Sequence, residues 1–565
     1  MLLTKWSRSF DRKHPLAEYP RPQFVRDSYI SLNGEWKFIV KKSSSFPLKY
    51  VASITVPFSP ESELSGVCRM TKPDEYLFYQ KKFTLPSDFN KGRVFVNFGA
   101  VDQEATVYLN RKKVGYHKGG YTPFKCELTD ALIDGENVLE LIVQDFTDTK
   151  SLSRGRQKIK RGGIWYSAQS GIWQSVWLES TPREFLERVK ITPDFDNSKV
   201  DFEFFGTDDV EISIYDCDAL IAKTRDKSIT IPDFKAWSPE SPFLYDVVFN
   251  ACGEEIKSYF GMRKFSVGVD ENGIKRLFLN NKPYFHNGLL DQGYYSDGYL
   301  TPPTNEAMLS DVKFVKEAGF NMLRKHIKIE PLLWYHYCDV NGILVWQDMV
   351  NGGGEYGLEI SAIPFIGIKL DDRNYSNFHR TDKEGRDLYY QELNETIEHL
   401  YNCPCIAMWV PFNEGWGQFD SAKAYKMVKE LDKTRTVDTT SGWHDLGASD
   451  VISKHIYFTP IRVKKGSRPY VLSEFGGYSM KIKGHTFNNK MFGYKIYNSK
   501  VSLNKAYARL YNNVIIPQIK DGLCATVYTQ VTDVEDELNG LMTYDRKIVK
   551  IDINTLKKIN ERVKL

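Results

Sequence analysis

Apolar and polar residues change rhythm twice along this chain, and each change marks a different kind of element. In the first part they alternate in short runs: Gly34-Glu35-Trp36-Lys37-Phe38, then residues 76–83, 93–98 and 104–109. Period-two runs recurring about every ten residues bury one face of each strand, which predicts an all-β sandwich of the jelly-roll type over residues 1–182. A smaller set follows over residues 183–268, including Val210-Glu211-Ile212-Ser213-Ile214-Tyr215 and Leu244-Tyr245-Asp246-Val247-Val248-Phe249. Roughly 80 residues of short strands match an immunoglobulin-like sandwich. From residue 269 to 565 strand and helix alternate. Residues 305–318 carry Met308, Leu309, Val312 and Val315 on one helical face and stop at Gly319. Strands are expected at 321–324, 343–346, 406–409, 470–472 and 525–528, with helices at 332–340, 421–431 and 503–519. Roughly 300 residues of such alternation predict a (β/α)8 barrel. A long loop from Asn351 to about Asn377, glycine-rich at its start, is expected to rim its mouth.

Two of the barrel runs end on carboxylates: Trp409-Val410-Pro411-Phe412-Asn413-Glu414 and Tyr470-Val471-Leu472-Ser473-Glu474-Phe475-Gly476-Gly477. A continuous apolar run is a strand buried on both faces, and the residue at its C-terminal tip faces the mouth. Two Glu tips supply the pair that glycosidic bond cleavage needs: one carboxyl protonates the leaving oxygen, the other supports the charge growing on the anomeric carbon. Either Glu alone would also suit a helix cap or a structural ion pair. The two contexts together favour chemistry.

Composition narrows the partners. There are 76 Lys and Arg against 72 Asp and Glu, a formal +4 with no basic block, which argues against nucleic acid or an anionic membrane. No apolar run approaches the ~18 residues of a membrane span, and the start of the chain carries no signal-peptide pattern, so a cytoplasmic protein is expected. The eight cysteines are scattered, and the single-residue gap of Cys403-Pro404-Cys405 suits neither zinc nor a redox pair, so free thiols are expected. No cofactor or metal is predicted. Aromatics make up 14% of the chain, which suits sugar stacking and β-sandwich cores alike.

The chain resembles the family 2 glycoside hydrolases, among them β-galactosidases, β-glucuronidases and β-mannosidases, over nearly its whole length. The matching segments are Leu32-Asn33-Gly34-Glu35-Trp36, residues 117–124, residues 170–179, Phe260-Gly261-Met262-Arg263 and the two Glu motifs. The resemblance implies that Glu414 is the general acid/base and Glu474 the nucleophile of a retaining mechanism. It implies Arg324 as the cationic neighbour of Glu474 and Asn413 as a partner of the sugar 2-hydroxyl. Tyr457 is expected to hydrogen-bond the nucleophile and Tyr528 to floor the sugar subsite. Asp291 and His326 are expected to fix hydroxyls, and Trp416 and Trp443 to form leaving-group platforms.

Departures from the family pattern bear on the sugar. One residue rather than two separates Arg324 from His326. The Gly119-Gly120-Tyr121 loop lacks the Asp that large β-galactosidases insert there. Glu537 and Asn539 stand where β-glucuronidases place the Asn-x-Lys pair that grips the sugar carboxylate. A carboxylate facing a carboxylate is repelled, so a neutral hexose or pentose is expected, with galactose leading. The expected partner is an oligosaccharide or glycoside. The alternatives are a glucuronidase-like enzyme with altered carboxylate recognition, or a silent carbohydrate-binding protein. The oligomeric state is left open, a homo-oligomer included.

Overall fold

The computed structural model describes residues 2–565, the side chains of Leu358, Phe365 and Ile366 excepted. Two facing sheets form the first sandwich. Six strands pair in the order Ala52–Val56, Gly34–Lys41, Tyr76–Thr84, Glu136–Gln144, Glu104–Leu109, Lys112–Lys118. Four pair as Ile30–Ser31, Val176–Thr181, Arg93–Phe98, Phe124–Glu127. The inward residues of the alternating runs, among them Trp36, Leu77, Tyr79, Val96, Leu141 and Leu178, form one core. A second sandwich of three and four antiparallel strands follows, filled by Ile191, Phe202, Ile212, Val247 and Phe249.

The third unit is a parallel barrel. Its strands are β1 (His286–Asp291), β2 (Met322–Lys325), β3 (Leu344–Asp348), β4 (Ile406–Val410), β5 (Thr436–Val437), β6 (Ile452–Ile456), β7 (Tyr470–Gly476) and β8 (Leu523–Thr529). They pair in the order β5-β4-β3-β2-β1-β8-β7-β6. Helices α1 (Asn305–Glu317), α2 (Leu332–Asn341), α3 (Lys383–Leu400), α4 (Ser421–Leu431), α5 (Lys500–Leu510) and α6 (Ile553–Asn560) pack outside. Among the described residues no helix lies between β5 and β6 or between β6 and β7.

The single helix expected over 503–519 is interrupted. A π-turn at Tyr511–Ile515 leads into a last turn, Ile516–Ile519, that contains Pro517. Proline lacks the N–H of the regular ladder and its ring crowds the preceding turn, which a locally wider turn relieves. All eight cysteines are free. Among the described residues no helix is long and apolar enough to cross a membrane.

Candidate active site

The mouth is built on one guanidinium. Arg324 is fully buried on β2, and its Nε and Nη2 grip Asp348 at the tip of β3 in a two-point ion pair of 2.9 and 3.0 Å. Its Nη2 also donates to Asn413 Oδ1 at 2.7 Å, and its Nη1 to the Ser473 carbonyl at 3.1 Å and Glu474 Oε1 at 3.2 Å. Burial works against this cation, but the charges of Asp348 and Glu474 outweigh it and hold its pKa above the usual value. A forked, permanently charged donor suits four partners, two carboxylates and two amide carbonyls, where a lysine would not.

Glu474 reaches the mouth through a local irregularity. Lys454 on β6 pairs with Leu472, but the next residue, His455, pairs with Glu474, so β7 carries one extra residue. Such a bulge re-aims the side chain beside it. Glu474 Oε2 accepts from the Tyr457 hydroxyl at 2.7 Å, and Tyr457 also contacts Thr529 Oγ1 at 2.9 Å. Glu414 follows β4 after Pro411, where Phe412–Asn413 pairs with Thr440–Ser441. Its backbone is left-handed, φ 53°, a conformation that a small share of non-glycine residues adopt. Burial pushes its carboxyl up, against the pull of Arg156 and Arg324.

Between the two acids lies His455. Its Nδ1 is 2.7 Å from Glu414 Oε1 and 3.6 Å from Glu474 Oε2. One ligand-type atom from each of Glu414, His455 and Glu474 lies within 4.8 Å of the others, the one such cluster among the described residues. The 2.7 Å contact is a hydrogen bond, and both carboxylates have protein donors, so the geometry needs no ion to explain it.

One side of the mouth comes from the jelly roll. The segment around residues 150–166 crosses the barrel rim, where Arg154 N donates to the Asn351 carbonyl at 3.0 Å and Arg154 Nη1 to the Gly353 carbonyl at 2.6 Å. It delivers Arg156, whose Nη2 meets His326 Nε2 while His326 Nδ1 meets Asp348 Oδ2 at 2.6 Å. Burial opposes the Arg156 charge, and Tyr166, Glu537, Glu474 and Glu414 more than restore it. Tyr166 donates to Glu537 Oε2, and burial pushes Glu537 up to about 6 despite Arg156.

Models of the family 2 glycosyl hydrolases match all three parts of this architecture: the sugar binding domain over residues 62–182, a second family 2 domain over 185–263 and the TIM barrel domain over 273–565. The chain belongs to glycosyl hydrolase family 2. A β-galactosidase of Priestia megaterium is 24% identical over 80% of this chain and 45% of its own length. A β-glucuronidase of Streptococcus agalactiae is 24% identical over 73% of this chain and 72% of its own. The chain thus spans less than half of that galactosidase. Among solved structures, the β-D-glucuronidase of Dictyoglomus thermophilum superposes with TM-score 0.75 at 17% identity, covering 96% of this chain and 98% of that one. A family 2 β-galacturonidase from Eisenbergiella tayi, bound to galacturonate, gives 0.72 at 19% identity, covering 96% and 99%.

Against the family 2 expectation, the predicted residues divide. Glu414, Glu474, Arg324, Asn413 and Tyr457 converge at the mouth, and Glu537 stands in its wall. Trp443 is half-buried with its ring 6.3 Å from that of His455. Tyr528 is a correction: it is fully buried on the helix side of β8, edge-on to Tyr507 at 5.0 Å. Strand alternation sends its neighbour Thr529 to the mouth instead. Asp291 is a second correction, because its oxygens are occupied by Lys325 Nζ at 2.6 Å and the Gly293 amide at 2.9 Å. His326 is tied between Arg156 and Asp348. Trp416 is buried, edge-on to Trp165 at 5.2 Å, and the half-buried Trp165 covers it. Asn539 turns away into its loop, where its Oδ1 accepts from Gln530 Nε2 at 2.7 Å.

Arg156, His455, Asp348 and Tyr494 were missed. Tyr494 stacks flat on Tyr457 at 3.6 Å. Burial, then the charges of Glu414, Glu537 and Glu474, push its phenol well up.

Proposed function

We propose that this family 2 protein is a retaining, exo-acting β-glycosidase that releases terminal neutral sugars by double displacement, with β-galactosides as its leading substrates. The observation that carries the reading is the separation of Glu414 and Glu474. One carboxyl oxygen of each residue lies within 4.8 Å of one of the other, which is in keeping with the ~5–5.5 Å of retaining enzymes and closer than the ~6.5–9.5 Å that leaves room for an inverting water. Glu474, held by Arg324 and Tyr457, attacks the anomeric carbon as the anion. Glu414, raised by burial, gives its proton to the leaving oxygen and then takes one from water. Asn413, fixed through its carbonyl by Arg324, is left to use its amide N–H2 on the sugar 2-hydroxyl.

Charge in the wall supports a neutral sugar. Four carboxyl groups, Glu414, Glu474, Asp348 and Glu537, face two guanidinium groups, Arg324 and Arg156. A uronate would bring a further negative charge beside Glu537. One observation favours the second reading, a glucuronidase-like enzyme: Arg156 Nε is buried without a hydrogen-bond partner, and Arg156 lies in the same wall. A nitrophenyl glycoside series separates them. We expect kcat/KM for the β-glucuronide to be at least ~100-fold below that for the best neutral β-glycoside, about 2.7 kcal/mol of transition-state stabilisation. Faster turnover of the glucuronide than of galactoside, arabinoside and mannoside would replace the first reading by the second.

A further inference from the structure

His455 is buried, and its Nδ1 faces both acids, 2.7 Å from Glu414 Oε1 and 3.6 Å from Glu474 Oε2. Its ring lies over Gly442, where an added Cβ would sit 2.6 Å from the imidazole Cγ, so this approach requires glycine at 442. Its Nε2 is 3.3 Å from Arg324 Nη1 and 3.2 Å from Ser441 Oγ. A guanidinium N–H can only donate, so Nε2 accepts and carries no proton. Burial pushes the ring down to about 4 despite Glu474, so at neutral pH it holds one proton. That proton is therefore on Nδ1, where it points at Glu414 Oε1, 2.7 Å away.

We propose that His455 is a positioning residue for the acid/base: its Nδ1–H holds Glu414 Oε1, so that the catalytic proton resides on Oε2 and faces the leaving oxygen. This rests on the glycosidase reading above. In the first step the proton leaves Oε2 for the departing oxygen while Nδ1–H stays on Oε1 and stabilises the new carboxylate. In the second step Oε2 takes a proton from the attacking water. His455 neither gains nor loses a proton. The ionisable groups facing it are Glu414 beyond β4, Glu474 on β7, Arg324 on β2, Asp348 on β3, His326 beyond β2 and Arg156 from the jelly-roll loop.

The test compares His455→Phe, which keeps a ring without the donor, and His455→Asn, whose amide N–H can stand where Nδ1–H stood. A hydrogen bond to the ionised carboxylate lowers its pKa, so removing it raises the pKa of Glu414. In His455→Phe the basic limb of the kcat/KM profile should move to higher pH, and kcat/KM for a methyl β-galactoside should fall about 100-fold, the scale of general acid catalysis. The dinitrophenyl β-galactoside, whose leaving group needs no proton, should lose far less. His455→Asn should recover most of both effects. Equal losses on the two substrates with an unmoved basic limb would overturn the proposal in favour of a packing role. The 15N shifts of His455 in the wild-type protein give a readout without turnover: Nδ1 protonated and Nε2 bare is expected, and the reverse tautomer would overturn it. Wild-type protein that hydrolyses neither galactoside would remove the choice of sugar and not the role of His455, and the same comparison is then run on the methyl and dinitrophenyl glycosides of the sugar that the nitrophenyl series selects.

Discussion

At the barrel mouth, Asp348 and Glu474 share the Arg324 guanidinium, and Arg156 stands near Glu414 and Glu537. At the seam where the jelly roll meets helix α3, Asp102, Asp145, Glu61 and Glu392 are buried without an ion pair among the described residues. Gly119 and Gly120 make room for this second cluster: an added Cβ would come within 2.7 Å of Glu392 Oε1 and 2.3 Å of Asp102 Oδ1. Burial dominates there, and pushes Asp102 up to about 7, Glu392 to about 8 and Glu61 to about 6. Both regions bury carboxyl groups, and they differ in what faces those groups. At the mouth guanidinium charges pull against burial on Asp348, Glu414 and Glu537, whereas at the seam side-chain hydroxyls and amides are what oppose it on Glu61 and Asp102.

The largest difference should appear in turnover. Glu474→Gln is expected to lower kcat by roughly 10⁴-fold or more, the scale on which losing a nucleophile acts, with folding retained. Asp102→Asn should leave kcat within about threefold, since a neutral acid is replaced by a neutral amide. Comparable losses in both variants would erase the distinction. Next comes stability. Arg324→Leu strands two buried carboxylates and should cost about 3–5 kcal/mol by urea unfolding at pH 7, the scale of a broken buried pair.

The smallest effect is a slope. Asp102 and Glu392 bind their protons more tightly folded than unfolded, so the native state holds more protons between about pH 4 and the folded values of about 7 and 8. Their contribution must therefore favour folding at low pH and fade as pH rises through that window, by at most about 1.4 kcal/mol per unit for each group. Asp102→Asn with Glu392→Gln should flatten the urea-midpoint profile between pH 5 and 8. An unchanged slope would mean that the seam carboxylates are already ionised.

Much of this was legible in the chain, and the failures have physical reasons. The helix at Ser421–Leu431 forms where the sequence places it, with Ala424 and Val428 buried one turn apart. Arg324 and Glu474 could be found because each lies near the end of an apolar run, although the aim of Glu474 is set by a bulge that the sequence does not announce. Tyr528 failed by one step of that alternation. His455 had a signal: it lies two residues before Tyr457, which directly follows the same strand, and residues two apart in extended chain share a face. Arg156 had none, because it sits in an aperiodic loop of another domain and only tertiary packing brings it to the mouth.

The account stands on Glu414 and Glu474 acting as a close pair on opposite faces of one sugar, and the stereochemistry of the first product reads this directly. Proton NMR of the anomeric signal during hydrolysis of a β-galactoside should show the β-sugar first, with the α-anomer growing only at the rate of mutarotation. Prompt release of the α-sugar would mean that water attacks directly, and would contradict the assignment of Glu474 as nucleophile.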